Sequence, residues 1–354
     1  MTARARRRGL ALVAGVLLAA TMACGNDNSD AYAKLTDARA DRSVSGEVTV
    51  TGSSTVEPVS ANAAQAFGGQ NERVDVSVDG PGTGDGFQRF CAGDADLTGA
   101  SRPIEPDEVE ACRRAGIDVV ELPVGLDGIA VVVPASSSVR CLSFADLYAL
   151  IGPEATGSDR WRDASGLARE LGSDTRFPDE NLVLTGPGEE SGTYDSFVEQ
   201  VIDPVAEERV ADGAVTAEEA EGPRPDYSSS ANDNTVVEGV ASDPGGIGWV
   251  GYAFAGSDDV RRVAVAAEPA GPCVAPSADT IRDGSYPISR TLYVYVNADR
   301  AAERPVVAAF VDFYLAGLDD FIRLSDYVTL ADPAATVARW EARTTGPSAE
   351  DDEG

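Results

Sequence analysis

The hydrophobic pattern of the chain opens with a short strand that passes through a glycine into a helix. Residues 48–51 alternate valine and threonine, which predicts a strand, and Gly52 marks a turn. Hydroxyl residues occupy 53–55, and apolar and small residues then predict a helix over 56–67. Because N–H groups at a helix N-terminus lack intrahelical partners and the helix dipole adds partial positive charge there, this junction suits an anion.

The same strand–loop–helix arrangement recurs along the chain. Strands are predicted at 74–78, 97–100 and 181–185, and each leads into glycine or hydroxyl residues ahead of a helix. The residues at these junctions are Thr83, Ser101, Arg102, Ser191, Gly192 and Thr193. Hydroxyl residues at a helix start are also ordinary N-caps, and Arg102 has an acid, Glu105, close by to pair with. The recurrence favours an anion site built from several loops.

Two further segments predict the connection between two halves of the chain. Apolar runs at 119–124 and 129–133 flank residues 125–128, which predict a short polar turn, and 291–296 predicts a returning strand. With the repeated units, they predict an α/β fold of two lobes, joined by hinge strands, with a ligand cleft between them. The expected boundaries are 46–128 with 285–344 for lobe I and 129–284 for lobe II.

Composition narrows the possible functions. A chain of 354 residues is long enough for two domains, and its net charge of −31 argues against nucleic-acid binding. The same charge argues against long-range attraction of an anion, so an anion site must use local donors. The chain has no histidine and no CxxC motif, so we expect neither a metal site nor a cofactor.

The N-terminus has the pattern of an export signal. Residues 1–23 combine a basic start, an apolar stretch too short to span a membrane, and small residues before Cys24. This resembles a bacterial lipoprotein signal peptide, although Thr21 stands where leucine is usual. We expect cleavage and lipidation at Cys24, with the protein on the outer face of the cytoplasmic membrane or free in the cell envelope. The predicted tether is 24–45, and the predicted acidic, disordered tail is 345–354.

Four further cysteines agree with an oxidising compartment because their number is even. They are Cys91, Cys112, Cys141 and Cys273, and they allow three pairings. We favour a disulfide between Cys91 and Cys112, which are close in sequence and flank a predicted loop. Cys141 and Cys273 would then form the second disulfide.

Five motifs occur together in a fixed order. They are Gly52–Val56, Gly82–Gly84, Ala100–Ile104, Ser191–Tyr194 and Tyr286–Arg290. This set, over residues 46–340, resembles the phosphate-binding protein of the high-affinity phosphate ABC importer. The resemblance implies a type II periplasmic-binding-protein fold that closes on inorganic phosphate and delivers it to membrane permease subunits. We expect a monomer that is not an enzyme. The implied ligands are Ser53 or Ser54 with Thr55, then Thr83, Ser101, Arg102, Ser191, Gly192 and Thr193.

Two positions depart from the pattern of well-known family members. Those proteins have an aspartate where Arg102 stands, which accepts a hydrogen bond from protonated phosphate and excludes sulfate. They also have an arginine four residues before the serine at 191, where this chain has Pro187. The proton acceptor is therefore open. Its candidates are Asp85, Glu189, Glu190 and Asp226, and Arg224 is a weaker candidate for a second cation.

Three other functions stay open at this point. The ligand could be another tetrahedral oxyanion, such as sulfate or molybdate, or the protein could be a phosphate sensor without a permease. A secreted hydrolase with Ser54 or Ser191 as the nucleophile would need a carboxylate base, because the absence of histidine excludes a serine–histidine–aspartate triad.

Overall fold

The computed structural model of the chain describes residues 36–189 and 191–346. The predicted signal peptide, the predicted lipidation site Cys24 and the candidate Glu190 lie outside the described residues, as do positions 347–354 of the predicted tail. Gly346, the last described residue, still pairs with the fold, since its N–H donates to Val119 O at 2.9 Å. Among the helices of these two ranges, none has both the length and the apolarity needed to cross a membrane.

The described part of the chain alternates strands and helices, as the pattern predicts. The strands are β1 Gly46–Gly52, β2 Val74–Val78, β3 Leu97–Ala100, β4 Val119–Pro134, β5 Cys141–Ser143, β6 Val183–Gly186, β7 Ser228–Ser229, β8 Gly246–Gly251, β9 Val260–Arg262, β10 Ala264–Ala266 and β11 Ser289–Asn297. The α-helices are α1 Glu57–Gln70, α2 Thr83–Cys91, α3 Pro106–Arg114, α4 Phe144–Ile151, α5 Ser165–Glu170, α6 Gly192–Phe197, α7 Asp203–Ala211, α8 Asp233–Ala241, α9 Ala278–Arg282, α10 Ala298–Glu303, α11 Pro305–Ala316, α12 Leu318–Leu324 and α13 Pro333–Glu341. A π-helix, Val198–Ile202, joins α6 to α7.

The main sheet is continuous across both lobes, with the strand order β2-β1-β3-β11-β4-β8-β6-β7 and with β9 beside β4. Lobe I is built around the parallel strands β1, β2 and β3, and lobe II around the parallel strands β6, β7 and β8. The antiparallel pair β4 and β11 lies between them. Because the carboxyl ends of the parallel strands lead into the predicted loops, those loops lie near this central pair.

The polar turn predicted at 125–128 is wrong, because β4 runs through it without interruption. Its first part pairs with β11 as far as Gly128, and its second part pairs with β8 from Ile129. A Cβ on Gly125 would lie 2.4 Å from Ile322, and a Cβ on Gly128 would lie 2.4 Å from Ile281. These glycines therefore leave room for two isoleucine side chains against β4, and they do not turn the chain.

Each lobe has a hydrophobic core that fixes the helices next to the cleft. In lobe I, Phe87 of α2 packs edge-on against Tyr295 of β11, with ring centroids 4.9 Å apart. In lobe II, Phe197 at the end of α6 stacks on Trp249 of β8 at 4.6 Å. Since both helices begin at predicted ligand residues, these aromatic contacts hold the two sides of the cleft in place.

The structure contains both disulfides of the favoured pairing. Cys91–Cys112 joins the end of α2 to α3, and Cys141–Cys273 joins β5 to the loop after β10. Each disulfide lies within one lobe, so neither restricts a movement of one lobe relative to the other.

Candidate functional site

The loop after β1 brings the first predicted hydroxyls to the cleft. Gly52 has φ 121, and a Cβ there would lie 2.1 Å from Gly99 O, so only glycine fits between β1 and β3. Ser53 and Thr55 are buried, and the Ser53 N–H donates to Gly99 O at 2.9 Å. No side chain caps α1, whose N-cap is Val56. The ordinary N-cap role therefore does not account for these hydroxyls.

The loop before α2 and the loop after β3 lie next to each other in lobe I. Thr83, the first residue of α2, and Ser101, which follows β3, are both buried. Their hydroxyl oxygens lie 3.0 Å apart, and the Ser101 N–H donates to Thr83 Oγ1 at 3.3 Å. Two hydroxyls and a helix N-terminus thus face the cleft from one side of lobe I.

The Ser191–Gly192–Thr193 triplet opens α6 in lobe II. Ser191 is an N-cap, because its Oγ accepts from the Thr193 N–H at 3.2 Å. Gly192 touches lobe I, since a Cβ there would lie 3.0 Å from the Cα of Thr55. Thr55 Oγ1 also lies 3.3 Å from Ser196 Oγ, one turn further along the helix. The two lobes are therefore in direct contact through their predicted ligand loops.

A buried guanidinium lies where these loops meet. Arg290 of β11 has a side chain only 10% exposed, and its Nη2 donates to Thr55 Oγ1 at 3.0 Å and to Ser196 Oγ. Its Nη1 pairs with Glu199, and its Nε, which has no hydrogen-bond partner, lies 3.7 Å from Asp127 Oδ2. Arg290 therefore links the hinge strands to both lobes.

Asp127 is the carboxylate beneath this cluster. It faces Arg290 across the β4–β11 pair and accepts from Ser196 Oγ at 2.7 Å. Burial raises the pKa of Asp127, against the opposing effects of the Arg290 charge and the Ser196 hydrogen bond. The hydrophobic pattern does not identify either residue, because it predicts a turn at 125–128 and Arg290 occurs only as the last residue of a motif.

Arg102 lies at the edge of a cavity of about 730 Å³ between the lobes, which Thr83, Ser101 and Arg290 also line. Its guanidinium makes a bidentate pair with Glu108, at 2.8 Å for each N···O contact, and lies 3.2 Å from Glu105. The hydrogen bond to Glu108 raises the pKa of Arg102. The pairing of Arg102 with Glu105, which is the alternative to a ligand role, is thus present in the structure.

The candidates for a proton acceptor lie apart from the cleft or are exposed. Asp226 is paired with Arg224 at 2.6 Å and with the Gly157 N–H at 2.9 Å, and the Arg224 hydrogen bond lowers its pKa to about 2. Asp85 and Glu189 have exposed side chains. None of these three contacts the predicted hydroxyl ligands within the described residues.

A different carboxylate, Asp195, does contact one of those hydroxyls. It lies on α6, and Ser54 Oγ of lobe I donates to its Oδ2. Burial raises the pKa of Asp195, with a smaller opposing effect of the Ser54 hydrogen bond. No local sequence signal marks this residue, because its partner Ser54 lies 141 positions away in the chain.

Residues 37–317 of the chain match the family model of a PBP superfamily domain. This match covers most of the chain, and the two-lobed α/β architecture with its central strand pair agrees with it. The protein therefore belongs to the PBP superfamily, and its predicted fold class is confirmed.

Individual relatives show which family within this superfamily the chain resembles. Protein SphX of Synechococcus elongatus is 36% identical over 304 residues, 84% of this chain and 82% of the relative. Phosphate-binding protein PstS of Staphylococcus saprophyticus is 30% identical over 273 residues, 76% of each chain. The crystal structure of a possible phosphate binding protein from Planctomyces limnophilus aligns with a TM-score of 0.72 and 31% identity, covering 85% of this chain and 99% of that one. The chain belongs to the family of phosphate-binding proteins that its motifs resemble.

Proposed function

We propose that this protein captures inorganic phosphate between its two lobes and delivers it to the permease of an ABC importer. The observation that carries the proposal is the convergence of hydroxyl groups and a guanidinium where the two lobes meet. Thr55 of lobe I, Ser196 of lobe II and the Arg290 guanidinium of the hinge strand lie within hydrogen-bond distance of one another. The names of the relatives support phosphate as the anion.

The site suits a small, multiply charged guest for a physical reason. An anion removed from water must recover its hydrogen bonds from the protein, or its burial costs many kcal/mol. Hydroxyls and backbone N–H groups supply such bonds without adding full charges, and a guanidinium adds a strong charge-assisted one. The ligand set that we propose is Ser53, Ser54, Thr55, Thr83, Ser101, Ser191, Gly192, Thr193 and Arg290.

Closure of the lobes follows from the same contacts. Ser54 and Thr55 contact α6 of lobe II, so a guest between them would be bonded from both sides and sealed from water. A ligand that binds only the closed form stabilises that form by its binding free energy. We propose that the permease recognises this closed form on the outer side of the membrane, where lipidation at Cys24 would anchor the protein.

Calorimetry tests the ligand assignment. Purified protein, freed of bound anion, is titrated with phosphate, sulfate and molybdate at neutral pH. We expect tight binding of phosphate and at least about 100-fold weaker binding of the other two. Only phosphate keeps a proton at neutral pH that it can donate to a carboxylate of the cleft, and a hydrogen bond to a charged group contributes about 1.5–3 kcal/mol. Binding of sulfate or molybdate in preference to phosphate would contradict the proposal, and so would turnover of p-nitrophenyl phosphate.

A further inference from the structure

Ser196 is a fully buried hydroxyl residue at the point where the two lobes meet, and it is not among the predicted ligands. It lies on α6 of lobe II. Its Oγ is within hydrogen-bond distance of Asp127 and Arg290 on the two hinge strands, and of Thr55 in lobe I. One hydroxyl therefore links α6 to both hinge strands and to the other lobe.

The partners of this hydroxyl fix the direction of its hydrogen. An ionised carboxylate only accepts hydrogen bonds, and a guanidinium only donates them. Burial raises the pKa of Asp127, but the charge of Arg290, whose Nε lies 3.7 Å from Asp127 Oδ2, favours the ionised form. With Asp127 ionised, the Ser196 O–H donates to it at 2.7 Å, and the Ser196 oxygen accepts from Arg290 Nη2. Ser196 then has no hydrogen left to donate to an anion.

The same contacts restrict where the Arg290 guanidinium can point. Its Nη2 carries two hydrogens, of which one is donated to Ser196 and the other to Thr55 Oγ1 at 3.0 Å. Since Thr55 belongs to the loop after β1, the second hydrogen is directed at a predicted ligand loop. The Nη1 of Arg290 pairs instead with Glu199, whose side chain is half exposed. Without the Ser196 hydroxyl, the guanidinium would be free to turn toward Glu199 and away from the ligand loop.

We propose that Ser196 is a positioning residue of the anion site. It does not bind the anion; it holds one Nη2 hydrogen of Arg290, so that the other stays directed at the ligand loop of lobe I. The backbone around Ser196 is itself held in place, because Gln200 Nε2 donates to Ser196 O at 3.2 Å and Phe197 stacks on Trp249. This inference rests on the proposed function, because it concerns the same anion site.

A double-mutant cycle with Ser196→Ala and Arg290→Gln tests this role, with phosphate affinity measured by calorimetry at neutral pH. In the wild-type background, Ser196→Ala should weaken phosphate binding roughly tenfold, as is typical of coupled side chains. In the Arg290→Gln background, the same change should weaken binding less than about twofold, because no guanidinium remains to be positioned. Equal losses in the two backgrounds would overturn the inference, since Ser196 would then be a ligand or a residue needed only by the fold. No loss in either background would also overturn it.

Ser173→Ala is the matched control for the loss of a buried serine. Ser173 is buried in lobe II beside α4, and its Oγ donates to the buried carboxylate of Asp146 at 2.6 Å, as Ser196 does to Asp127. Ser173→Ala should lower the thermal unfolding midpoint and change phosphate affinity by less than about twofold. A loss of affinity as large as that of Ser196→Ala would contradict the inference, because any buried hydroxyl–carboxylate pair would then affect binding. Wild-type protein that binds no phosphate would instead contradict the proposed function, so the two failures are distinguishable.

Discussion

Two aspartates of lobe II lie in opposite electrostatic situations. Asp226 pairs with Arg224, which is bonded to it through two nitrogens at 2.6 and 2.8 Å, and this pair lowers the pKa of Asp226 to about 2. Asp195 forms no ion pair within 4.0 Å in the described part of the chain, and burial raises its pKa against smaller opposing effects of the Ser54 hydrogen bond and the Arg290 charge. The first aspartate is satisfied within its own lobe, whereas the second depends on a hydroxyl of the other lobe.

The arginines of the two regions differ in the same way. Arg224 and Arg290 are both buried, and each has one nitrogen without a hydrogen-bond partner. The charge of Arg224 is matched by one carboxylate in bidentate contact. Arg290 pairs with Glu199 through Nη1, whereas its Nη2 meets only hydroxyls. A bidentate ion pair stabilises the fold, whereas a guanidinium nitrogen that faces only neutral hydroxyls can bond an anion without breaking an ion pair. Substitutions at the two places should therefore affect different measurements.

The largest expected effect is on phosphate binding by Arg290→Gln. Removing the guanidinium leaves the buried oxygens of the ligand without a charged donor, which should cost about 2–5 kcal/mol of binding free energy in calorimetry. Arg224→Gln is the matched control, because it removes an equally buried arginine outside the cleft. It should lower the thermal unfolding midpoint and leave phosphate affinity within about twofold of wild type. An equal loss of affinity in both variants would remove the distinction between the two regions.

An intermediate effect is expected from Asp226→Asn, on stability alone. The folded-state pKa of Asp226 is about 2, below its ordinary value of 3.8, so its pairing stabilises the fold above pH 4 and is lost as the pH falls toward 2. Its side chain is 39% exposed, so solvent screening reduces this contribution to about 1 kcal/mol. Urea unfolding of wild type should show this loss between pH 4 and pH 2, and the variant should lack it.

Phosphate affinity of Asp226→Asn is the second measurement, and it should not follow the change in stability. Asp226→Asn should bind phosphate as wild type does at neutral pH, whereas Asp195→Asn should change affinity with little change in unfolding free energy. If Asp226→Asn changed the ratio of phosphate to sulfate affinity, Asp226 would be a proton acceptor of the site. The contrast between a stabilising Asp226 and a ligand-contacting Asp195 would then be wrong.

The sequence predicts the scaffold of the cleft because its signals are local. Alternating strands, glycines and hydroxyls at helix starts lie within about ten residues of each other, and they correctly indicate the loops at Ser53, Thr83 and Ser191. The disulfides also follow from spacing and number. These features do not depend on which distant element packs against them.

The parts that the sequence did not predict depend on distant partners. The local sequence around Gly125 and Gly128 predicts a turn. Their actual role depends on Ile322 and Ile281, which belong to distant elements and pack directly against the two glycines. Asp195 reads as an ordinary polar helix residue until Ser54 of the other lobe is placed beside it. Charge partners, like packing partners, become visible only when the two lobes are brought together.

The smallest expected effect concerns Arg102, which the sequence places among the ligands. Its guanidinium already makes a bidentate pair with Glu108, whose side chain is only 14% exposed, so little of its charge is available to a guest. Arg102→Gln should weaken phosphate binding by less than about 1 kcal/mol in the same calorimetric titration, as for other partly exposed ion pairs. Arg290→Gln is the matched control, because both arginines line the same cavity and both are replaced by glutamine. If Arg102→Gln lost more affinity than Arg290→Gln, the anion would take its positive partner from the end of β3, and the hinge arginine would only hold the lobes together.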